Sequence, residues 1–256
     1  MLGCIIQARM GSTRLPGKVM KLLDGKNPSL SYTINQLQNC KGIDKIIVAT
    51  TLNNEDDVIV NYLQNSGICF FRGSATDVLD RYYKCAKKLS LSSIIRVTAD
   101  CPLIDPLIVD KGITIFQSGK YDYVSNTFPR TYPDGNETEL FSYEALENAW
   151  ENAILPSERE HVTSYLRNNK EKFKIKNFKH INDISHLRWT VDYSEDYELV
   201  KTIISKISSR PFHLESILDL LKSQPELIEI NKGHKPDEGL IRSFEEDKKF
   251  LIKQKF

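Results

Sequence analysis

In the first 125 residues of this chain, short runs of Ile and Val alternate with longer stretches of helical spacing. Gly3 to Ala8 (Gly-Cys-Ile-Ile-Gln-Ala) reads as a buried strand, and Asp44 to Thr50, Cys69 to Arg72, Ser93 to Thr98 and Tyr121 to Val124 repeat the signal. Helical patterns fill the gaps: Pro28 to Gln38, Glu55 to Ser66, Asp77 to Leu89 and Pro106 to Gln117, the last with proline in its first turn. Strands apolar on both faces, separated by helices, require a mostly parallel sheet covered on both sides. Such sheets bind ligands beyond the carboxyl ends of their strands, so the loops after the first and fourth strands are where chemistry is expected.

Past residue 125 the alternation loosens. Thr127 to Gly135 is a loop with two prolines. Helices are expected at Ser142 to Ala153 and at Ser157 to Asn168, the second opened by a Ser157/Glu160 capping box. Leu187 to Val191 reads as a strand, Asp196 to Ile207 and His213 to Lys222 as helices, and Asp237 to Phe256 as a charged helix. With no repeat and no linker, the reading is one α/β domain carrying a small inserted lobe.

Composition narrows the function. Thirty-five Lys and Arg against 34 Asp and Glu give a net charge of +1, so no global field attracts nucleic acid or anionic lipid. Cys4, Cys40, Cys69, Cys85 and Cys101 include no C-x-x-C pair, and several sit among apolar residues, as small hydrophobes do in a reducing compartment. No apolar run is long enough to cross a bilayer. The expectation is a cytoplasmic protein with neither nucleic acid nor membrane as partner.

The loop after the first strand, Gln-Ala-Arg-Met-Gly-Ser-Thr-Arg-Leu-Pro-Gly-Lys from Gln7 to Lys18, holds two glycines and three cations. It is not a Walker loop, because five residues separate Gly11 from Gly17 and Val19 follows Lys18, and it has no G-x-G-x-x-G. On residue chemistry alone it is either a polyphosphate cradle or a solvated basic surface.

The order of residues in this loop resembles the signature of sugar nucleotidyltransferases, and closely that of the cytidylyltransferases that make CMP-activated acidic sugars. These are the CMP-ketodeoxyoctonate and CMP-sialic acid synthetases, and the similarity is nearest to their spore-coat polysaccharide branch. It continues through Phe71-Arg72-Gly73-Ser74, Asp77-Val78-Leu79-Asp80-Arg81-Tyr82, Arg96 to Asp105, Asp122 to Asn126, Pro156 to Thr163, and Leu187 to Asp192 with Glu195-Asp196. Coverage is roughly residues 1–210, with 127–170 as an acceptor and dimer lobe and 211–256 as a C-terminal helical extension.

The resemblance implies a Rossmann-like three-layer α/β/α nucleotidyltransferase fold of the GT-A-like kind, and a Mg²⁺-dependent transfer of CMP from CTP to an acidic sugar with release of pyrophosphate. It also implies a homodimer. Carried over by residue, Gln7, Ala8, Arg9, Gly11, Ser12, Arg14, Lys18, Arg72 and Thr98 would bind the nucleotide, with Lys18, Arg14 and Asp100 catalytic. Asp100 and Asp192 would hold the metal, and Asp196 would open the following helix. His161 is read as a structural or interface histidine. Two further enzyme readings remain: a GT-A-type glycosyltransferase, disfavoured because Cys101 and Pro102 follow Asp100 and leave no D-x-D, and transfer to a phosphonate or polyol phosphate. A nucleotide-binding regulatory protein is the non-enzymatic alternative.

Close relatives continue after the Pro129 to Gly135 loop with apolar-Asp-apolar-Glu, whereas this chain has Asn136-Glu137-Thr138-Glu139. As a strand, this segment would put Glu137 and Glu139 on one face. Asn136 and Thr138 would meet solvent at the loop's edge or mark a functional change. The loop is expected to bind the acceptor through Arg130, Glu137 and Glu139.

Overall fold

The computed structural model describes residues 1–234 and 238–253. Seven strands form one sheet: β1 Leu2–Gln7, β2 Lys45–Thr51, β3 Cys69–Gly73, β4 Ser93–Thr98, β5 Tyr123–Ser125, β6 Glu139–Ser142 and β7 Ile175–Asn177, in the order β3-β2-β1-β4-β6-β5-β7. β3, β2, β1 and β4 run parallel, β6 is antiparallel to both β4 and β5, and β7 is parallel to β5. The helices are α1 Ser29–Leu37, α2 Asp57–Asn65, α3 Val78–Lys88, α4 Pro106–Gln117, α5 Tyr143–Asn152, α6 Pro156–Glu160, α7 Ser164–Asn168, α8 Ser194–Lys206, α9 Leu214–Ser223 and α10 Glu238–Lys253.

The strands bury both faces because their alternate residues enter two separate cores. Cys4, Ile6, Val48, Ile95 and Val97 pack under α1, α2, α4, α8 and α9. Ile5, Ile47, Ala49 and Ile94 pack under α3, α5 and α7 on the other face. At roughly 25 cal/mol per Å² of apolar surface, these two layers are the main force holding the sheet together. α9 belongs to the first core through Leu214, Ile217 and Leu221, so it is an integral part of the domain.

The short strands β6 and β7 depart from the sequence expectation. β6 lies within the stretch read as a lobe yet is an interior strand of the sheet, between β4 and β5; its four residues are too few to show a period. Asn136 and Thr138, just before it, are fully buried instead of meeting solvent. Asn136 Oδ1 accepts from the Asp105 N–H, and Asn126 Oδ1 accepts from the Thr138 N–H, at 2.8 Å each. The Asn136 side chain fastens this loop to the start of α4, and the Thr138 backbone ties it to Asn126 at the end of β5.

Leu187 to Val191 does not join the sheet. Asp134 O accepts from the Trp189 and Thr190 N–H groups, and Asp100 O accepts from Val191 N–H at 2.8 Å, so the segment ties two loops together. The expected helix at 157–168 is broken into α6 and α7. Val162 stands at φ 55° between them, and Thr163 turns inward to donate its hydroxyl to Glu139. The capping at this point is also different: Glu158, not Glu160, accepts from the Ile154 and Leu155 N–H groups ahead of α6. In the C-terminal segment, Asp237 and 254–256 lie outside the described residues.

Candidate active site

Beyond the carboxyl ends of β1 and β4 lies a cleft of about 670 Å³, within the size range of small-ligand sites. The loop after β1 is held at its start by buried Asp56, which accepts from the Met10 N–H at 2.6 Å and pairs with Thr51. It then folds back on Met10 O, which receives the N–H groups of Ser12 and Gly17 at 2.9 and 3.1 Å. Gly17 has φ 67°, a left-handed conformation that lets the chain turn there and aim Lys18 inward.

Lys18 Nζ lies 2.5 Å from Asp100 Oδ2 and 2.6 Å from Asp192 Oδ1, bridging the end of β4 to the segment before α8. Burial alone would lower the Lys18 pKa, but Asp100 and Asp192 outweigh it and hold the ammonium charged. Burial likewise pushes Asp100 up, and Lys18 overcomes it, bringing the carboxyl down to about 2. Arg14 adds a second cation, 2.9 Å from Asp192 and stacked over the Tyr193 ring.

Gln7, Ala8, Arg9, Gly11, Ser12, Arg14, Lys18, Thr98, Asp100, Arg130, Glu137, Glu139 and Asp192 all line this cleft. Arg72 does not. It points off the end of β3, donating to Thr51 O and Asn53 O and pairing with Asp57 at 2.7 Å. On that side of the cleft Arg81 and Arg159 join Arg9. Arg81 is 2% exposed, with Nη1 on Ser74 O and a buried Nε that has no partner among the described residues. Arg159 pairs with Asp77. Both fall inside quoted sequence segments, but a helix-face arginine carries no sign of which way it points.

Asp100 is not a helix cap, since Asp105 caps α4 by accepting from the Leu107 N–H. Asp196 sits in the first turn of α8, where Oδ2 accepts from the Asp192 and Tyr193 N–H groups. His161 lines the cleft with Nε2 2.9 Å from Ser243 Oγ on α10. That helix forms one wall, and its two buried side chains are Ser243 and Asp247.

Arg188, unassigned from sequence, is the hub on the acceptor side. Its guanidinium binds Asp134, lies 2.9 Å from Asp196 and reaches Asp192 at 3.2 Å. Arg130 pairs with Glu137 and lies 3.3 Å from Asp134. Glu139, on the floor, accepts from Arg96, Tyr123 and Thr163, and burial is overcome by Arg96 and its other donors to bring it down to about 2.

Among the described residues no cluster of three or more His, Cys, Asp or Glu can hold a metal. Asp100 and Asp192 nevertheless already share one cation, and two carboxylates suit a Mg²⁺ that keeps waters and phosphate oxygens as its other ligands. The donor set therefore fits the ion as a companion of bound triphosphate.

The acceptor loop depends on Gly135, at φ 107°. A Cβ there would stand 2.8 Å from Thr190 N and 3.0 Å from Trp189 C. Gly135→Ala is expected to cost about 2 kcal/mol or more, since both the backbone strain and the backbone clash resist relaxation. Thermal unfolding checks this; a melting temperature within 2 °C or so of wild type would contradict it.

The family model for cytidylyltransferases matches residues 3–250. An uncharacterized protein of Methanocaldococcus jannaschii is 36% identical, over 90% of this chain and 93% of its own. The spore coat polysaccharide biosynthesis protein SpsF of Bacillus subtilis is 33% identical, over 87% and 94% respectively. Among solved structures, a cytidylyltransferase from Leptospira borgpetersenii superposes with TM-score 0.85 at 36% identity, covering 91% of this chain and 98% of that one. A CMP:2-keto-3-deoxy-manno-octonic acid synthetase complexed with CTP shares the fold at TM-score 0.61 and 17% identity, covering 80% and 98%. No helix among the described residues is long and apolar enough to cross a membrane. With the family model spanning nearly its whole length and a cation-lined cleft where that fold binds its ligands, the chain belongs to the cytidylyltransferase family, and is a CTP-dependent nucleotidyltransferase.

Proposed function

We propose that this enzyme transfers CMP from CTP to a hydroxyl of an acidic sugar, with Mg²⁺, and releases pyrophosphate for surface glycan synthesis. The observation that carries the reading is the Lys18 ammonium held between Asp100 and Asp192, next to Arg14, at the strand ends. Transfer at the α-phosphorus depends on positioning and charge stabilisation. Lys18 and Arg14 would meet the negative charge gathering on the leaving pyrophosphate, while Asp100 and Asp192 would hold the ion that neutralises the triphosphate. The buried Gln7 Oε1 has no hydrogen-bond partner among the described residues and suits the exocyclic amine of a cytosine. The Arg130 to Glu139 side of the cleft would take the acceptor.

The relatives support the polysaccharide setting by name: one is a spore coat polysaccharide biosynthesis protein, and others are 3-deoxy-manno-octulosonate cytidylyltransferases. A ligand present at a hundred times its dissociation constant stabilises by about 2.7 kcal/mol. CTP with Mg²⁺ should thus raise the melting temperature by roughly 5–10 °C, with ATP, GTP and UTP well behind. Equal stabilisation by all four would contradict the CTP preference. A screen of sugar acids, phosphates and phosphonates for pyrophosphate release then identifies the acceptor, and product formation without pyrophosphate would instead indicate a glycosyltransferase.

A further inference from the structure

Besides Arg188, three cations lie on the acceptor side of the cleft, and their surroundings differ. Arg130 pairs with Glu137 and lies 3.3 Å from Asp134, which Arg188 also binds. Arg96 is paired with Glu139. Arg167, on α7, lines the same cleft and has no carboxylate within 4.0 Å among the described residues. Its guanidinium lies 4.2 Å over the Phe128 ring and donates to Ser164 Oγ at 3.0 Å. An arginine so held is pre-positioned, with donors left over for a planar anion.

The charge balance separates the two ends. Arg96 and Arg167 together face one carboxylate, Glu139, which leaves one positive charge in excess. Arg130 is already matched by Glu137, and Asp134 beside it is shared with Arg188. An anion arriving beside Arg130 would meet a cation already matched by Glu137, whereas one arriving beside Arg167 would meet a cation surplus and the half-exposed Phe128 ring.

Building on the acceptor reading above, we propose that Arg167 receives the acceptor's carboxylate, and that Arg130 is a positioning residue that holds the Asp134–Glu137 loop in place. One surplus charge matches a monoanion, so the class of acceptor is a sugar carboxylic acid, not a sugar phosphate. Phe128 supplies the apolar wall against which the sugar's carbon face lies.

The test uses the full chain with 3-deoxy-manno-octulosonate and N-acetylneuraminate as probes, each beside its C1 carboxamide. Binding is followed by saturation-transfer NMR with and without CTP, and CTP binding separately by thermal shift. In wild type the acids should bind and the carboxamides should bind poorly. Arg167→Gln should weaken acid binding by roughly ten- to a hundred-fold, the scale of a lost charge-assisted contact, and abolish the preference for acid over carboxamide. Its CTP stabilisation should match wild type, and Arg167→Lys should recover part of the acid binding. Arg130→Gln should keep the acid-over-carboxamide preference even if overall stability falls. The proposal is overturned if Arg167→Gln still prefers the acids, if sugar phosphates bind wild type more tightly than either acid, or if neither acid binds wild type. Failure of CTP to stabilise wild type would instead overturn the nucleotide reading, while the nucleotide-free titrations still decide the role of Arg167.

Discussion

Lys18→Met should lower the melting temperature of the substrate-free enzyme by roughly 10 °C, the equivalent of about 3 kcal/mol in a chain of this size. Methionine keeps the length of the side chain and removes its charge. Asp192 would retain Arg14 and Arg188, but Asp100 would lose the cation that holds its carboxyl near 2. Because that folded-state pKa is depressed, the stability it brings is present above the unfolded value near 4 and is lost as pH falls through about 2. The gap between wild type and variant should therefore close in strong acid. Turnover should fall by roughly a hundred-fold or more, in kcat and kcat/KM together, if the ammonium acts on the leaving group. With its carboxylates no longer shared, the variant should gain more thermal stability from Mg²⁺ alone than wild type does. Asp100→Asn and Asp192→Asn should lose that gain and the Mg²⁺-dependent activity while remaining folded. A rise in KM alone for Lys18→Met would reduce Lys18 to a binding residue.

The parallel half of the sheet was legible because its strands carry their signal locally: Ile5, Ile47 and Ile94 enter one core while their neighbours enter the other. The later strands were not. β6 begins at Glu139, whose charge conceals a buried strand position until Arg96, Tyr123 and Thr163 are known to surround it. The 187–191 segment has the composition of a strand, yet its N–H groups bond to the carbonyls of Asp134 and Asp100, partners distant in sequence. The site divides in the same way. Lys18, Arg14 and Asp100 flank strand ends, where the topology dictates a cleft. Arg81, Arg167 and Arg188 reach it from helices and loops whose orientation is set by tertiary packing, and Arg72, in a motif that suggests a nucleotide pocket, is drawn away by Asp57 and two backbone carbonyls. The run Asn136 to Glu139 was noticeable as polar in the sequence; only its packing against Asp105 and Asn126 shows that this polarity is internal.

Removing Arg188 should have a larger effect than removing any other arginine in the cleft, because three carboxylates depend on it. Its side chain is 9% exposed and lies against Asp134, Asp192 and Asp196. Arg188→Leu supplies none of the compensation that a buried charge cluster needs, and a loss of about 3–5 kcal/mol is expected from breaking such a cluster on one side. That corresponds to a melting temperature roughly 10 °C lower or more. The loss should depend on pH in a defined direction. Burial and the neighbouring Glu137 raise Asp134 to about 8, against the opposing pull of Arg130 and Arg188. A carboxyl whose folded pKa is raised takes up a proton on folding between about 4 and 8, so its contribution is full below the lower value and falls as pH rises through the upper one. Without Arg188 that decline should steepen, making the variant far less stable at pH 8 than at pH 5 or so. Asp134→Asn keeps the shape of the side chain and removes the titration. In the wild-type background it should flatten the fall of melting temperature across this range, and in the Arg188→Leu background it should restore part of the lost stability at pH 8 or so. Unfolding curves of the four proteins at the two pH values are sufficient, and equal losses for Arg188→Leu at both would show that Asp134 is not a carboxyl the guanidinium stabilises.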